Sequence, residues 1–372
     1  SSCMKEILTV VGGHESYFTG KLEAYLRAKG IPYQNTPFTM EKMQEMAANT
    51  GFFQIPQVAC PDGSFLVDTT AIIAYLDSLH PEPRTSPIDP AANFIALLLE
   101  DYADEWLWRP AMHYRWSFDD SAELLSSWLA EHMADPELTL AQKKEFFIER
   151  QRGTFVTGDG VTSATRAAVE SSYQHALTTL EDIFAKRDFM LGDRPTQADF
   201  GFMGPMFRHF FCDPDPGRLM RETAPGVHEW VARMWNMKPQ RFSAAAQINA
   251  IPNDLKALLD PVASAYLAYL AANQEAVVAG DKEVHYDALG VSWSEPAKPY
   301  RLWCLDQLRR SYHDLEDDAR ARVAAVLGPD AEAILSAPRT GACDKLIPAL
   351  PIPATGSGLP LLDSWGRPAG QA

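Results

Sequence analysis

The first 83 residues alternate between short apolar runs and segments of helical periodicity, and this order restricts the fold more than any other feature of the sequence. The run Lys5–Val11 predicts a buried strand, and a helix follows it that ends at Gly30, a residue suited to a left-handed cap. A second strand is predicted over Ile31–Thr36, followed by a methionine-rich helix. The turn Asp62-Gly63 then joins two short strands into a hairpin, because Asp-Gly favours the turn that matches strand twist. A last amphipathic helix ends before Pro81.

The predicted order β-α-β-α-β-β-α has a specific topological consequence. Two parallel strands joined by a helix and followed by an antiparallel hairpin form the thioredoxin-like arrangement, and we assign this α/β domain to residues 4–83. Residues 89–242 show a helical pattern with turn-like breaks and predict an all-helical second domain. Residues 243–372 predict an extension with helices, a possible hairpin over Val284–Trp293 and a tail. The tail, from about Leu346, is rich in Pro and Gly and is expected to be extended or disordered.

The charge balance excludes several classes of function. The chain has 372 residues with 33 Lys+Arg against 49 Asp+Glu, a formal net charge of −16. A protein that neutralises nucleic-acid phosphates or binds an anionic membrane surface needs a basic face, which this composition does not favour. No apolar run approaches the ~18 residues of a spanning helix, so we expect a soluble protein.

Cysteine and histidine usage points to an ordinary reducing compartment. The five cysteines are scattered singly, without a C-x-x-C pair, and an odd count suits free thiols. The sequence begins without a basic and apolar leader, so we expect a cytoplasmic protein. The nine histidines show no H-E-x-x-H or paired-ligand spacing, and no metal is expected.

The clearest helix start lies in the segment 192–199, GDRPTQAD. Thr196 is placed to cap the helix, and Asp199, three residues on, is placed to accept from the amide of the cap residue. An apolar run follows at once. We therefore predict a capping box here that stabilises the fold by about 1 kcal/mol.

Two sequence blocks together resemble the glutathione transferase family. The first combines Ile55-Pro56-Gln57-Val58, the Asp62-Gly63 turn and the helix start Asp68-Thr69, and is similar to that family's glutathione-binding signature. The second is the Thr196/Asp199 capping box, whose setting is similar to the family's folding motif. The resemblance covers residues from about 4 to 240 and implies a thioredoxin-like domain followed by an all-helical domain.

The resemblance implies a glutathione site at the start of the helix near Thr69. Unpaired amides and the helix dipole favour the γ-glutamyl carboxylate there, with the Thr69 hydroxyl as a donor and Asp68 as an acceptor for the amine. A cis peptide at Ile55-Pro56 would present the Ile55 backbone to the cysteinyl unit, and Gln54 is expected to reach the glycyl end. Asp68 departs from the more frequent Glu. The competing interpretation is a hairpin and a helix without a binding role, in which Asp68 or Thr69 only caps the helix.

The resemblance also implies a hydroxyl or thiol beside the glutathione sulfur, just after the first strand. Ser16 falls at the position of the serine and cysteine types, whereas the tyrosine-type position is Gly12. Tyr17 replaces a frequent proline and is the fallback donor. No cysteine lies in this loop, which disfavours mixed-disulfide chemistry. An ordinary polar loop is the competing interpretation.

A pocket for the second substrate is predicted from the aromatic stretch Asp101–Phe118. Trp106, Trp108 and His113 are the candidate lining residues, and Pro110 is expected to bend the helix that carries them. Core packing or a subunit interface would explain such a stripe equally well. The i,i+4 pair Glu105 and Arg109 is expected at the surface.

The predicted function is glutathione conjugation to a small apolar or aromatic electrophile, a detoxification chemistry, by a cytoplasmic homodimer without metal. The family resemblance also leaves open a glutathione-dependent lyase, isomerase or peroxidase. A different class is a non-catalytic interaction protein on the same fold, with the extension as partner surface. A hydrolase or lyase that works without glutathione is a third alternative.

Overall fold

The computed structural model describes residues 6–369. Its N-terminal part is a four-stranded sheet in the order β2-β1-β3-β4 with three helices. Strand β1 runs parallel to β2 and antiparallel to β3, and β3 continues antiparallel into β4. This is the thioredoxin-like arrangement predicted from the sequence. The elements are β1 Leu8–Gly12, α1 Tyr17–Lys29, β2 Tyr33–Pro37, α2 Met40–Thr50, β3 Gln57–Ala59, β4 Phe65–Leu66 and α3 Thr69–Leu79.

Local sequence signals explain the ends of these elements. Helix α1 ends at Gly30, whose φ of 69° is the left-handed conformation that a residue without Cβ adopts without strain. The second strand begins at Tyr33 rather than Ile31, because Pro32 has no amide hydrogen to donate. Asp68 caps α3 through its carboxylate and the amide of Ala71, 3.0 Å apart.

The second part, from Pro90 to Ser243, contains only helical elements in the described chain. Helices α4 and α5 follow each other with a short break between them. Helix α4 ends at Glu105, and α5 begins at Trp108. Pro110 lies in the first turn of α5, where its missing amide hydrogen costs no helical bond, and the break precedes it. The helices are α4 Pro90–Glu105, α5 Trp108–Trp116, α6 Asp119–Ala130, α7 Leu140–Gln151, α8 Arg166–Phe184, α9 Gln197–Met203, α10 Pro214–Thr223, α11 Pro225–Trp235 and α12 Pro239–Ser243.

The extension packs against the second part rather than standing apart from it. The predicted hairpin is present as β5 and β6, with Val284 opposite Glu295. Helix α16 lies against α4, and α15 packs against both α4 and α14. The elements are α13 Lys256–Pro261, α14 Leu267–Ala279, β5 Glu283–Ala288, β6 Val291–Pro296, α15 Pro299–His313, α16 Asp317–Leu327 and α17 Pro329–Ser336.

Residues 346–369, here called the strap, run back across the N-terminal domain as irregular chain with turns and isolated bridges. Ile352 pairs with Phe65 at the free edge of β4, and Leu362 bridges to Phe52. Ile352 and Leu362 are buried with Phe52 and Val67 in a small apolar cluster separate from the main core. The tail was predicted to be extended or disordered; its described residues form turns and irregular chain, of which Ile352, Leu362 and Trp365 are buried.

One helical stretch is longer and more apolar than predicted from the sequence. The continuous helical stretch Asn253–Ala279 has 27 residues and a mean hydropathy of 1.2 in its most apolar window, long and apolar enough to cross a membrane by length and composition. Half of that window is buried inside the protein. The prediction that no apolar run approaches the length of a spanning helix was therefore wrong for this stretch.

Candidate functional site

The start of α3 has an unusual backbone conformation. Asp68 has φ 68° and ψ 110°, and it and Leu289 are the two non-glycine residues with positive φ in the described chain. Leu289 lies in the turn of the β5–β6 hairpin, where positive φ is common. Asp68 lies in no such turn, so its conformation stores a strain of roughly 1–3 kcal/mol, which in proteins concentrates at ligand-binding positions.

The carboxylate of Asp68 is shared between two elements. Its Oδ1 accepts from the amide of Ala71 at 3.0 Å, and its Oδ2 accepts from the phenol of Tyr300 on α15 at 2.5 Å. Burial raises the pKa of Asp68, and the hydrogen bond from Tyr300 opposes that shift. Tyr300 was missed from the sequence, because nothing in a helical pattern 232 residues away indicates that its side chain meets Asp68.

The other expected glutathione contacts lie around the same helix start. Thr69 is the first residue of α3 and is buried. The Ile55–Pro56 peptide is cis, as expected. Gln54, expected to reach the glycyl end of glutathione, donates from Nε2 to the backbone carbonyl of Asp363 at 2.8 Å. Gln54, one of the predicted ligand-binding residues, is therefore hydrogen-bonded to the strap.

Ser16 is the N-cap of α1. Its hydroxyl oxygen accepts from the amide of Thr19 at 3.3 Å, and its side chain is partly exposed. Because the oxygen acts as the acceptor in this cap, the hydroxyl hydrogen is available to a further partner. The N-terminus of α1 also favours a negative charge at this position.

The second domain holds the loop before α1 in place. The guanidinium of Arg115 on α5 donates to the carbonyl of Glu15 at 2.8 Å. The same group donates to both carboxylate oxygens of Asp213, at 2.8 and 3.0 Å. The position of Ser16 therefore depends on a buried ion pair contributed by α5 and the segment before α10.

Tyr17 does not fit the fallback role expected from the sequence. Its side chain is 2% exposed and its phenol donates to the backbone carbonyl of Ala103 inside the core. Burial raises the pKa of Tyr17 well above its ordinary value, with Asp104 adding to the shift. The phenol is a packing and hydrogen-bonding group between α1 and α4 in this structure.

The aromatic residues proposed for the acceptor pocket lie in three different places. Trp108 stacks on Phe18, with ring centroids 5.8 Å apart. Phe18 directly follows Ser16 and Tyr17 in the sequence. Trp106 instead packs against Trp293 of the extension, and its indole nitrogen donates to Ser172. His113 is buried on another side of α5, 3.0 Å from Glu170. The structure brings Trp108 to the N-terminus of α1, and it does not bring Trp106 or His113 there.

Two further aromatic residues complete the surroundings of Trp108. Phe155 lies edge-on to Trp108 at 5.4 Å, and Trp365 of the strap lies edge-on to Phe155 at 5.9 Å. Trp365 is 8% exposed and also lies beneath the ammonium group of Lys298, 4.5 Å from the ring centroid. An isolated tryptophan in a Pro- and Gly-rich tail carries no periodic signal, so these contacts could not be found from the sequence.

The prediction that Glu105 and Arg109 form a pair at the surface was wrong, since both side chains are buried. Arg109 forms an ion pair with Glu295 of β6 and donates to the carbonyl of Asp159. Glu105 lies 3.6 Å from Arg301 of α15. The extension, which the i,i+4 pattern could not reveal, supplies their partners.

One groove of the second domain lies apart from this site. An open groove of about 400 Å³ lies between α5, α8 and α10, lined by Tyr114, Phe118 and charged residues of both signs. Among residues 6–369, no group of three or more His, Cys, Asp or Glu side chains is arranged to hold a metal ion.

Comparison with known families agrees with the order of the domains. Residues 12–84 match the glutathione S-transferase N-terminal domain, and residues 163–233 match the glutathione S-transferase C-terminal domain. The two domain matches, in this order, support a glutathione S-transferase family protein. Both the fold class and the family predicted from the sequence are thereby confirmed. The N-terminal match contains Ser16, Gln54, Asp68 and Thr69.

Solved structures of the family align with about two thirds of the chain. A glutathione S-transferase from Methylobacterium radiotolerans, in complex with glutathione sulfonate, is 16% identical, with 66% of this chain and 99% of that chain covered and a TM-score of 0.38. One from Rhodospirillum rubrum is 16% identical, with 66% and 96% covered and a TM-score of 0.41. The β-etherase LigF from Sphingobium sp. is 18% identical, with 64% and 99% covered and a TM-score of 0.42. No curated protein matches the sequence significantly.

Proposed function

We propose that this protein is a glutathione transferase that joins the glutathione thiolate to a small apolar or aromatic electrophile. The observation that carries the proposal is the strained Asp68 at the N-terminus of α3, next to the buried Thr69, inside the stretch that matches the family's N-terminal domain. Backbone strain that packing alone does not require is typical of a ligand-binding position.

The start of α3 supplies the chemistry that the γ-glutamyl end of glutathione needs. Its free amides and the positive end of the helix dipole attract the carboxylate, and the Thr69 hydroxyl is a further donor. Asp68 is the acceptor for the ammonium group. The backbone of Ile55, beside Pro56, pairs with the cysteinyl unit, and Gln54 serves the glycyl end once released from Asp363.

Ser16 is proposed as the group that stabilises the thiolate. Its hydroxyl donates to the sulfur while its oxygen keeps the cap on Thr19, and the start of α1 adds a favourable field. Both effects lower the pKa of the thiol, whose proton passes to solvent. The sulfur then forms a bond to the electrophilic carbon, and in a substitution the leaving group departs with the electron pair of the broken bond.

Trp108 and Phe18 are the proposed wall for the second substrate, because they stack beside the Ser16 cap. A flat apolar or aromatic molecule suits such a surface. We also propose, from the family and the free thiols, a cytoplasmic enzyme that acts as a homodimer. Light scattering coupled to gel filtration tests the dimer.

The test of the proposed function compares Ser16→Ala with Ser16→Thr and Tyr17→Phe. We expect Ser16→Ala to lower turnover of a chromogenic aryl halide at least 10-fold while the Kd of glutathione changes less than 2-fold, because the hydroxyl contacts the sulfur only. Ser16→Thr keeps a hydroxyl and should retain most activity. Tyr17→Phe should lower stability rather than turnover. Equal turnover in Ser16→Ala and wild type would exclude Ser16 from catalysis.

A second candidate function is a non-catalytic interaction protein on this fold. It is favoured by one observation: Tyr300 and the strap already engage Asp68 and Gln54. Calorimetry separates the two functions, since a transferase releases or takes up heat on mixing with glutathione. Absence of heat in wild type and in variants with a loosened strap would favour the interaction protein.

A further inference from the structure

The strap lies on the part of the N-terminal domain where the proposed function places glutathione. Gln54 donates to the carbonyl of Asp363, as it would to a glycyl carboxylate. Two residues further along the strap, the carbonyl of Trp365 accepts from the amide of Tyr300 at 3.0 Å. The phenol of Tyr300 donates to the carboxylate of Asp68. Strap and ligand would therefore use neighbouring polar groups of the same cleft.

Several backbone hydrogen bonds hold the strap to the N-terminal domain. Ile352 and Phe65 exchange two of them, of 2.8 and 2.9 Å, and form an isolated antiparallel bridge at the free edge of β4. Further along, the amide of Leu362 donates to the carbonyl of Gly51 at 3.1 Å, and that of Ser357 donates to Asn49 at 3.1 Å. These bonds place residues 352–365 across the face formed by the end of α2, the Gln54 loop and β4.

Two of the three buried apolar side chains of the strap, Ile352 and Leu362, lie outside the main core, whereas Trp365 belongs to it. Ile352 and Leu362 are buried against Phe52 and Val67, a cluster outside the main core. Release of the strap between these residues would therefore expose a small apolar surface without opening the main core. A segment of this kind belongs to the low-stability end of a structure, where local opening precedes global unfolding.

Trp365 closes the same cleft on the side of the second substrate. Its indole lies against Phe155, which in turn lies against the proposed wall residue Trp108. Lys298 and Arg301 lie over the ring at 4.5 and 5.5 Å. An aromatic group of the chain itself thus occupies space beside the surface that we assign to an aromatic electrophile.

We propose that the strap is a built-in competitor of glutathione, which closes the cleft in the free protein and must be displaced for substrate to bind. This inference rests on the proposed function. The apparent affinity for glutathione is then the intrinsic affinity reduced by the fraction of molecules whose strap is open.

The test uses the full chain with two strap variants. Trp365→Ala removes the ring beside Phe155, and Ile352→Asp puts a charge into the small apolar cluster. Trp128→Ala is the matched control, since Trp128 is 37% exposed on α6, away from the strap. The probe is S-methylglutathione, measured by titration calorimetry, with circular dichroism to show that each variant is folded. We expect both strap variants to bind at least 10-fold more tightly than wild type and the control to bind like wild type.

Hydrogen exchange of the wild-type protein provides a second readout that needs no variant. Saturation with S-methylglutathione should speed amide exchange in residues 350–366 at least 10-fold, because the amides of Ile352 and Leu362 lose their partners. Equal affinities in folded variants and wild type, with these amides still protected at saturation, would overturn the competition. Absence of binding by every protein would instead overturn the glutathione function itself, and the inference with it.

Discussion

Asp68 shows how one residue can carry both a structural and a chemical role. Its positive φ turns the chain into α3, and its carboxylate caps that helix through the amide of Ala71. The second oxygen remains directed at the cleft, where Tyr300 now meets it. A glycine would adopt this backbone with less strain but would supply neither contact, so the strain is maintained for the side chain.

Thr69 tests the acid-hydroxyl pair at this helix start. Thr69→Ala should weaken binding of S-methylglutathione by about 1–3 kcal/mol, because a buried carboxylate loses one donor. The control is Ser78→Ala on the same helix, whose exposed hydroxyl bonds to the carbonyl of Tyr75. Calorimetry should show a larger Kd for Thr69→Ala than for wild type and an unchanged Kd for Ser78→Ala. Equal affinities would place the Thr69 hydroxyl outside the site.

Helix α9 begins at a polar cap that is buried inside the protein. The amide of Thr196 donates to Asp199 at 3.1 Å, and the Thr196 hydroxyl accepts from the amide of Ala198 at 3.2 Å. Asp199 also accepts from the amide of Met190 and the indole of Trp230. The predicted capping box thus connects three segments of the chain and is fully buried.

Two capping boxes in one chain provide an internal comparison for the value of burial. Thr196→Val should lower the free energy of unfolding by about 2 kcal/mol, since the buried amide loses its acceptor and water cannot replace it. Thr139→Val, in the exposed capping box of α7, should cost only about 0.5–1 kcal/mol. Urea denaturation measures both. Transferase activity should stay unchanged in each variant at temperatures where it is folded, and a selective loss in Thr196→Val would contradict a purely structural role.

At the scale of the whole molecule, the sequence predicted what depends on neighbours along the chain. The strand and helix order, the Gly30 cap, the Asp62-Gly63 hairpin and the Thr196 box follow from patterns within about ten residues. The contacts of Tyr300 with Asp68 and of Asp363 with Gln54 join residues 232 and 309 positions apart, and no local pattern encodes them. Ser16, Gln54 and Thr69 remain predicted site residues, whereas the strap that accepts from Gln54 had no sequence signal.

The extension is joined to the helical domain by a buried network of charges. Glu295 of β6 forms ion pairs with Arg109 of α5 and, at 3.0 Å, with Lys298. Lys298 also pairs with Asp159, and the side chains of all four residues are 0–3% exposed. Burial opposes the charged form of Glu295, but Arg109 and Lys298 outweigh it and lower the pKa to about 2. Residues from three distant parts of the chain therefore need one another.

Glu295→Gln tests whether this network holds the extension to the rest of the protein. The amide removes the negative charge and leaves Arg109 and Lys298 buried with too few counter-charges, so the free energy of unfolding should fall by about 3–5 kcal/mol. Glu283→Gln, at the exposed start of the same hairpin, should change the free energy of unfolding by less than about 0.5 kcal/mol.

The stabilisation by Glu295 should depend on pH. Because the pKa of Glu295 in the folded protein lies below the ordinary value of 4.5, its contribution to the free energy of unfolding is complete above pH 4.5 and is lost as the pH falls towards about 2. The difference between wild type and Glu295→Gln in urea denaturation should accordingly narrow from pH 7 to pH 3, and a difference that is absent at pH 7 would mean that the network does not stabilise the fold.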